Sequence, residues 1–170
     1  MKEYKKPSVT SDIIIFTTKG NDTFVLLIKR KNPPFQGMYG FPGGFLEENE
    51  TIWDCARREL KEETNVDAAL LYELGLFSDP GRDERGWVIS DAFTTLIPYS
   101  MLTIEAGDDE SEAKLFKVNH HSKDNKMYIT LTHDNIVLEN IIDNDGIIIQ
   151  SNMCFDHLKM LQRALKTLSL

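Results

Sequence analysis

The chain opens with two β-branched and aliphatic runs, VTSDIIIF and TFVLLIKR, separated by KGND. Apolar runs flanking so short a turn predict a β-hairpin over about residues 9–30. The segment KNPPFQGMYGFPGG follows, and its proline and glycine predict a long structured loop. From about residue 52 to 64 the period becomes helical: Ile52, Trp53, Ala56 and Leu60 fall on one stripe, while Asp54, Arg57 and Lys61 point away from it. Thr51, followed three residues later by Asp54, is a capping-box-like start. ALLYELGLF and WVISDAFTTLIP return to strand patterning and are joined by the loop SDPGRDERG. KLFKV, MYITLTHD, IVLENIID and GIIIQ are also strand-like, with NDG as a hairpin turn between the last two. The polar NHHSKDNK between the first two of these reads as a solvated loop. In the closing FDHLKMLQRALKTL, Phe155, Leu158, Leu161, Leu165 and Leu168 recur at helical spacing behind Ser151 or Asn152 as N-cap.

Strands, a helix, more strands and a closing helix predict an α/β or α+β layered domain, a mixed sheet covered by helices. With 170 residues, 41% of them hydrophobic, the expectation is one domain over residues 1–170. The 27 acidic residues exceed the 19 Lys and Arg, for a net charge of −8, which disfavours nucleic acid and anionic membranes as partners. An acidic protein that binds phosphates calls for metal. The charged N-terminus shows no export signal, and no apolar run approaches the roughly 20 residues that a bilayer requires. The expected location is therefore cytoplasmic. Cys55 and Cys154 lack CxxC spacing and read as reduced, packed thiols. His120 and His121 are adjacent, His133 and His157 isolated, and none has the spaced partner of a metal site.

Residues 43–66, GGFLEENETIWDCARRELKEETNV, carry Glu47, Glu48, Glu50, Asp54, Glu59, Glu62 and Glu63. Glu59, Glu62 and Glu63 are spaced by three and four, so they share a helix face beside the apolar stripe. Glu62 and Glu63 also stand in the last turn, where the helix dipole penalises anions by about 0.3–1 kcal/mol each. A solvated acidic face paired with Arg57, Arg58 and Lys61 is the plain alternative. A hard divalent cation with oxygen ligands accounts better for carboxylates at the core edge and at the wrong end of the dipole. Gly43 and Gly44, after Pro42, permit close approach of backbone to a ligand.

With its spacing, the stretch is Gly44, five residues, Glu50, seven residues, then Arg58-Glu59-Leu60-Lys61-Glu62-Glu63-Thr64-Asn65-Val66. This resembles the box of the Nudix hydrolases, and KRKNPPFQGMYGFPGGFLEENET, SDPGRDERGWVIS and FDHLKMLQRAL resemble their ADP-ribose pyrophosphatase-like branch. The resemblance implies an α/β/α sandwich with a mixed β-sheet, Mg²⁺ or Mn²⁺ as cofactor, and a nucleotide substrate. It implies Glu59, Glu62 and Glu63 as metal-binding carboxylates, the Gly43 carbonyl as a further ligand, and Glu50 with Arg58 as an orienting ion pair. Asn65 stands where the family usually has glycine, and Asn tolerates the left-handed conformation needed there.

The implied reaction is hydrolysis of a nucleoside diphosphate derivative, ADP-ribose giving AMP and ribose 5-phosphate, with Glu59, Glu63 or Glu112 accepting the proton. Glu112 is equally read as one more exposed acid beside Asp108, Asp109 and Glu110. Arg82 and Arg85 suit a diphosphate, with Gly44 beside it, and pairing with Asp79, Asp83 or Glu84 is the plain reading of both arginines. Trp87 and Phe35 are candidates to stack on adenine, against a core role. Hydrolysis of oxidised or noncanonical NTPs is the competing activity. A non-catalytic ligand-sensing domain is the competing class, disfavoured because the stretch from Phe155 is short for a winged helix. Relatives are often homodimers, and residues 127–150 are expected to serve dimerisation or sheet extension.

Overall fold

Ile13, Ile14, Ile15 and Phe16 are all fully buried, which a strand achieves only when both faces are covered. The computed structural model of the protein describes residues 4–65, 70–102 and 112–169, the side chains of Glu63 and Thr64 excepted. The elements are β1 (Ser8–Lys19), β2 (Asp22–Lys29), β3 (Tyr39–Gly40), β4 (Gly43–Phe45), α1 (Ile52–Thr64), β5 (Tyr72–Phe77), β6 (Val88–Leu96), β7 (Glu112–Lys123), β8 (Lys126–His133), β9 (Ile136–Asp143), β10 (Ile148–Gln150) and α2 (His157–Leu168), with a short 3-10 turn at Tyr99–Met101.

They form one mixed sheet in the order β10-β9-β8-β7-β2-β1-β6-β5, with β3 on β2 and β4 on β1. The β1–β6 pair is parallel and the other pairings are antiparallel. Alternation along β1 feeds both faces: Ile14 and Phe16 pack with Leu158, Leu161 and Leu165 of α2. Ile13 and Ile15 pack with Ala56 and Leu60 of α1. The fold is thus the expected α/β/α sandwich, with one helix on each side of a mixed sheet.

The helix begins and ends as its sequence dictates. Thr51 and Asp54 cap each other reciprocally, and Asn65 closes the C-terminus in the left-handed region (φ 54°, ψ 16°) with its N–H on the Lys61 carbonyl. Residues 127–150 extend the sheet as β8, β9 and β10. Two expectations fail. NHHSKDNK is not a loop: β7 runs through His120 and His121 to Lys123 and turns at Asp124 and Asn125, both at positive φ. Two such residues make the tight hairpin turn whose twist matches its strands, and the exposed His121 stacks on Tyr128 across the pair. The closing helix starts at His157 rather than Phe155, because Phe155 is left-handed (φ 51°) and Asp156 is the N-cap. Ser151 instead accepts a hydrogen bond from the Met153 N–H.

Beneath α1, Asp91 on β6 lies opposite Ser11 on β1. Asp91 is 6% exposed, and neither its Oδ1 nor the Ser11 hydroxyl has a hydrogen-bond partner among the described residues. Burial, with some repulsion from Glu73, raises its carboxyl from the ordinary 3.8 to about 6. The folded protein therefore holds this proton to higher pH than the unfolded chain does. The associated stability is complete below pH ~4 and is lost as pH rises through ~6, a loss of about 1–3 kcal/mol. Asp91→Asn removes that loss. Thermal melts should show it stabilised relative to wild type more at pH 8 than at pH 5, and a pH-independent difference would contradict the assignment.

Candidate active site

The loop and helix of residues 43–64 are joined through one guanidinium. Arg58 Nε and Nη2 donate to the two carboxylate oxygens of Glu50 (3.2 and 2.9 Å), and Nη2 also donates to the Phe45 carbonyl (3.2 Å). Glu50 accepts as well from the Glu47 N–H at 2.7 Å. The Arg58 and Glu47 hydrogen bonds hold the Glu50 carboxyl down at about 2. Nη1 reaches Glu59 at 2.6 Å and Glu62 at 3.5 Å, so Arg58 also relieves the repulsion between those carboxylates. Asp54 points away and pairs with Arg57.

Among the described side chains of α1, Glu59 is the buried acid. Burial raises its carboxyl above the usual range, although the Arg58 hydrogen bond opposes that shift. Its carboxylate lies against Gly44, where a Cβ would overlap Oε1. The missing Cβ thus leaves room for the Glu59 carboxylate. Glu62 is 58% exposed along its side chain, and the side chain of Glu63 lies outside the described residues. Among the described residues no three acidic, His or Cys side chains converge closely enough to hold a metal. The available donors are oxygens, from Glu59, Glu62 and the Gly43 backbone, as a hard divalent cation prefers.

Beside this loop opens a cavity of ≈330 Å³. Gly43, Gly44 and Phe45 form one wall, and the rest of the lining includes Lys29, Arg30, Lys31, Arg82 and Arg85 together with Asp12 and Asp83. Arg82 is already committed: its side chain is 4% exposed, and it donates from Nε and Nη2 to both oxygens of Asp156 (3.0 and 2.7 Å). Arg85 is held by Asp83 but remains partly open, and its guanidinium lies over the rings of Phe45 and Phe155. Glu112 does not line this cavity. It is exposed at the start of β7 and paired with Lys114 and, at 3.7 Å, Lys29, and the neighbouring acids Asp108, Asp109 and Glu110 lie outside the described residues. Trp87 is 56% exposed away from the cavity. Phe35 packs edge-on against Phe155.

His157 and Arg30 had no part in the sequence-based site. His157 is buried at the cavity floor, stacked on Phe41. Its Nδ1 accepts the Phe41 N–H at 2.9 Å, which places the ring proton on Nε2, 3.6 Å from Asp12. Asp12 in turn accepts from the Ser90 hydroxyl. The chain from α2 through His157 and Asp12 to β6 thus fixes the backbone two residues before Gly43. Nothing at residue 157 announces this, since Phe41 and Asp12 lie 116 and more positions away. Cys154 packs beside the same ring, 3.8 Å from Nδ1, and both cysteines are free and buried.

The Glu59 carboxylate lies against Gly44, behind a cavity whose other walls include arginines, and this arrangement suits a hydrolase that opens phosphoanhydrides with a divalent cation. The sequence profile of the NUDIX domain matches residues 6–133, and the chain belongs to the NUDIX family. It is 40% identical over 134 residues to the ADP-ribose pyrophosphatase of Methanocaldococcus jannaschii, covering 79% of this chain and 73% of that protein. In three dimensions it resembles a MutT/nudix family protein from Enterococcus faecalis (TM-score 0.85, 32% identity, 99% of this chain), of which it spans 64%. It also resembles the NUDIX domain of Shewanella oneidensis NrtR complexed with ADP ribose (TM-score 0.70, 25% identity, 97% of this chain and 90% of that one).

Gly44→Ala tests the berth of Glu59 without demanding an unusual backbone. The added methyl must displace the carboxylate, and misplacement by about 1 Å costs on the order of 10²-fold in rate. Pyrophosphohydrolase assays should show that fall in kcat with the melting temperature little changed. Unaltered kcat would remove Gly44 and Glu59 from the site.

Proposed function

We propose that this protein hydrolyses the diphosphate of ADP-ribose to AMP and ribose 5-phosphate with Mg²⁺, Mn²⁺ being a substitute. The observation that carries the reading is the cavity itself, bounded by the box loop on one side and by lysines and arginines on the other. In a protein of net charge −8, that concentration of cations suits a diphosphate. The Methanocaldococcus pyrophosphatase and the ADP-ribose complex of the Shewanella domain support ADP-ribose as the compound.

Hydrolases of this family generally use divalent metals, which supply Lewis-acid polarisation of a phosphoryl oxygen and an acidified water. Glu59, Glu62, Glu63 and the Gly43 carbonyl are the groups that would hold the ion. Glu50 and Arg58 keep loop and helix in register. Glu59, whose burial favours proton uptake, or Glu63 accepts the proton of the attacking water; Glu112, turned to its lysines, fits that part poorly. Arg85 and the backbone at Gly44 contact the diphosphate.

The test is a panel of ADP-ribose, other nucleoside diphosphate derivatives and NTPs, each with Mg²⁺, with Mn²⁺ and with EDTA. AMP should be released from ADP-ribose, EDTA should abolish release, and Glu59→Gln should lower kcat by about 10²–10⁴-fold. Preference for oxidised or noncanonical NTPs would replace ADP-ribose by the competing activity. Tight ADP-ribose binding without turnover would make the chain a ligand sensor.

A further inference from the structure

Phe35 (φ 63°) and Phe155 (φ 51°) both hold the left-handed backbone conformation beside the cavity. Bulky residues rarely accept that strain, and where it persists it tends to serve a site. The two rings meet edge to face with centroids 4.9 Å apart. The strain has a visible result in the segment CFDH. Cys154, Asp156 and His157 are buried, while Phe155 between them is only half covered and lines the cavity.

Two cations share the Phe155 ring. The guanidinium carbons of Arg30 and Arg85 lie 4.8 and 5.1 Å from its centroid. Placing two like charges on one ring is unfavourable unless an anion offsets the repulsion. Asp83 partly neutralises Arg85, but among the described residues no carboxylate pairs with Arg30. Its Nε donates to the Pro34 carbonyl at 2.8 Å. Among the described residues, both Nη groups of Arg30 and Nη1 of Arg85 therefore have no hydrogen-bond partner. Arg82 is the contrast, buried and closed onto Asp156. Stacking on an aromatic face restrains the long arginine side chains, which lowers the ordering cost of a planar, two-pronged contact with phosphate.

We propose that Phe155 is a positioning residue that holds Arg30 and Arg85 as a paired fork for the substrate diphosphate, so that Arg30, not Arg82, is the second phosphate-binding arginine. The proposal rests on the reading of this cavity as a diphosphate site. Phe155 touches the guanidinium groups and acts through them; the phosphate contacts belong to the arginines.

The test uses the full chain and the variants Phe155→Leu, Phe155→Tyr and Arg30→Lys, with two readouts. In ADP-ribose hydrolysis with Mg²⁺, Phe155→Leu and Arg30→Lys should raise KM about tenfold while kcat changes less than about threefold, and Phe155→Tyr should restore KM. In calorimetric titrations with inorganic pyrophosphate in EDTA, the same two variants should lose about tenfold in affinity and Phe155→Tyr should not. Adenosine titrated in parallel should bind all four proteins alike. If wild type hydrolyses ADP-ribose but both variants keep its KM and its pyrophosphate affinity, the fork is refuted and the reaction stands. If wild type does not hydrolyse ADP-ribose, the reaction is refuted and the pyrophosphate titration decides the fork alone. Failure of wild type to bind pyrophosphate refutes the fork. Loss of adenosine affinity in Phe155→Leu would make Phe155 a base-stacking residue and overturn the proposal. Should Phe155→Leu melt below the assay temperature, Arg30→Lys at its half-buried side chain carries both readouts.

Discussion

The structure depends on one constraint, the burial of β1 from both sides. Four consecutive fully buried side chains on that strand cannot be satisfied by one layer, so the chain must supply a helix to each face. The same strand pairs with β2, β4 and β6, which leaves little freedom to the loop that precedes α1. Gly43 and Gly44 are in register with Asp12 and Ser11. The position of the box loop is thus inherited from the core. The side chain of Asp12 extends that influence to the cavity floor by way of His157.

What was legible in the sequence was local. Periodicity placed α1 because its stripe, caps and left-handed Asn65 lie within 15 residues of each other, and the strands followed from alternation and turn residues. NHHSKDNK deceived because polar residues on a two-stranded ribbon look like a loop when the Asp-Asn turn is not given its due weight. Phe155 deceived because its spacing fits a helix while its backbone does not. The site was legible where the motif is contiguous and obscure where the fold assembles it. Arg82 and Asp156 are 74 positions apart, and no spacing rule reveals that the arginine is already matched.

Three arginines in the same region show how burial and partners divide a single residue type among tasks. Arg58 joins the loop to the helix, and its donors are distributed over Glu50, Glu59, Glu62 and a carbonyl. Arg82 is fully enclosed by a carboxylate at the start of α2, an arrangement whose removal on one side would strand a buried charge. Arg85 sits between these extremes, half neutralised and half open, with aromatic rings as its support. Composition alone makes these three equivalent, and only their surroundings separate them.

The hydrogen bond from the Phe41 amide to His157 closes a circuit between residues 116 positions apart. A chain lengthening from its N-terminus therefore acquires the residues of the glutamate helix early and the finished cavity late. During that interval the box is present without the floor that orients it. The order of synthesis thus separates the acidic half of the site from its assembled form, and a nascent chain passes through a stage that has the motif but not the pocket.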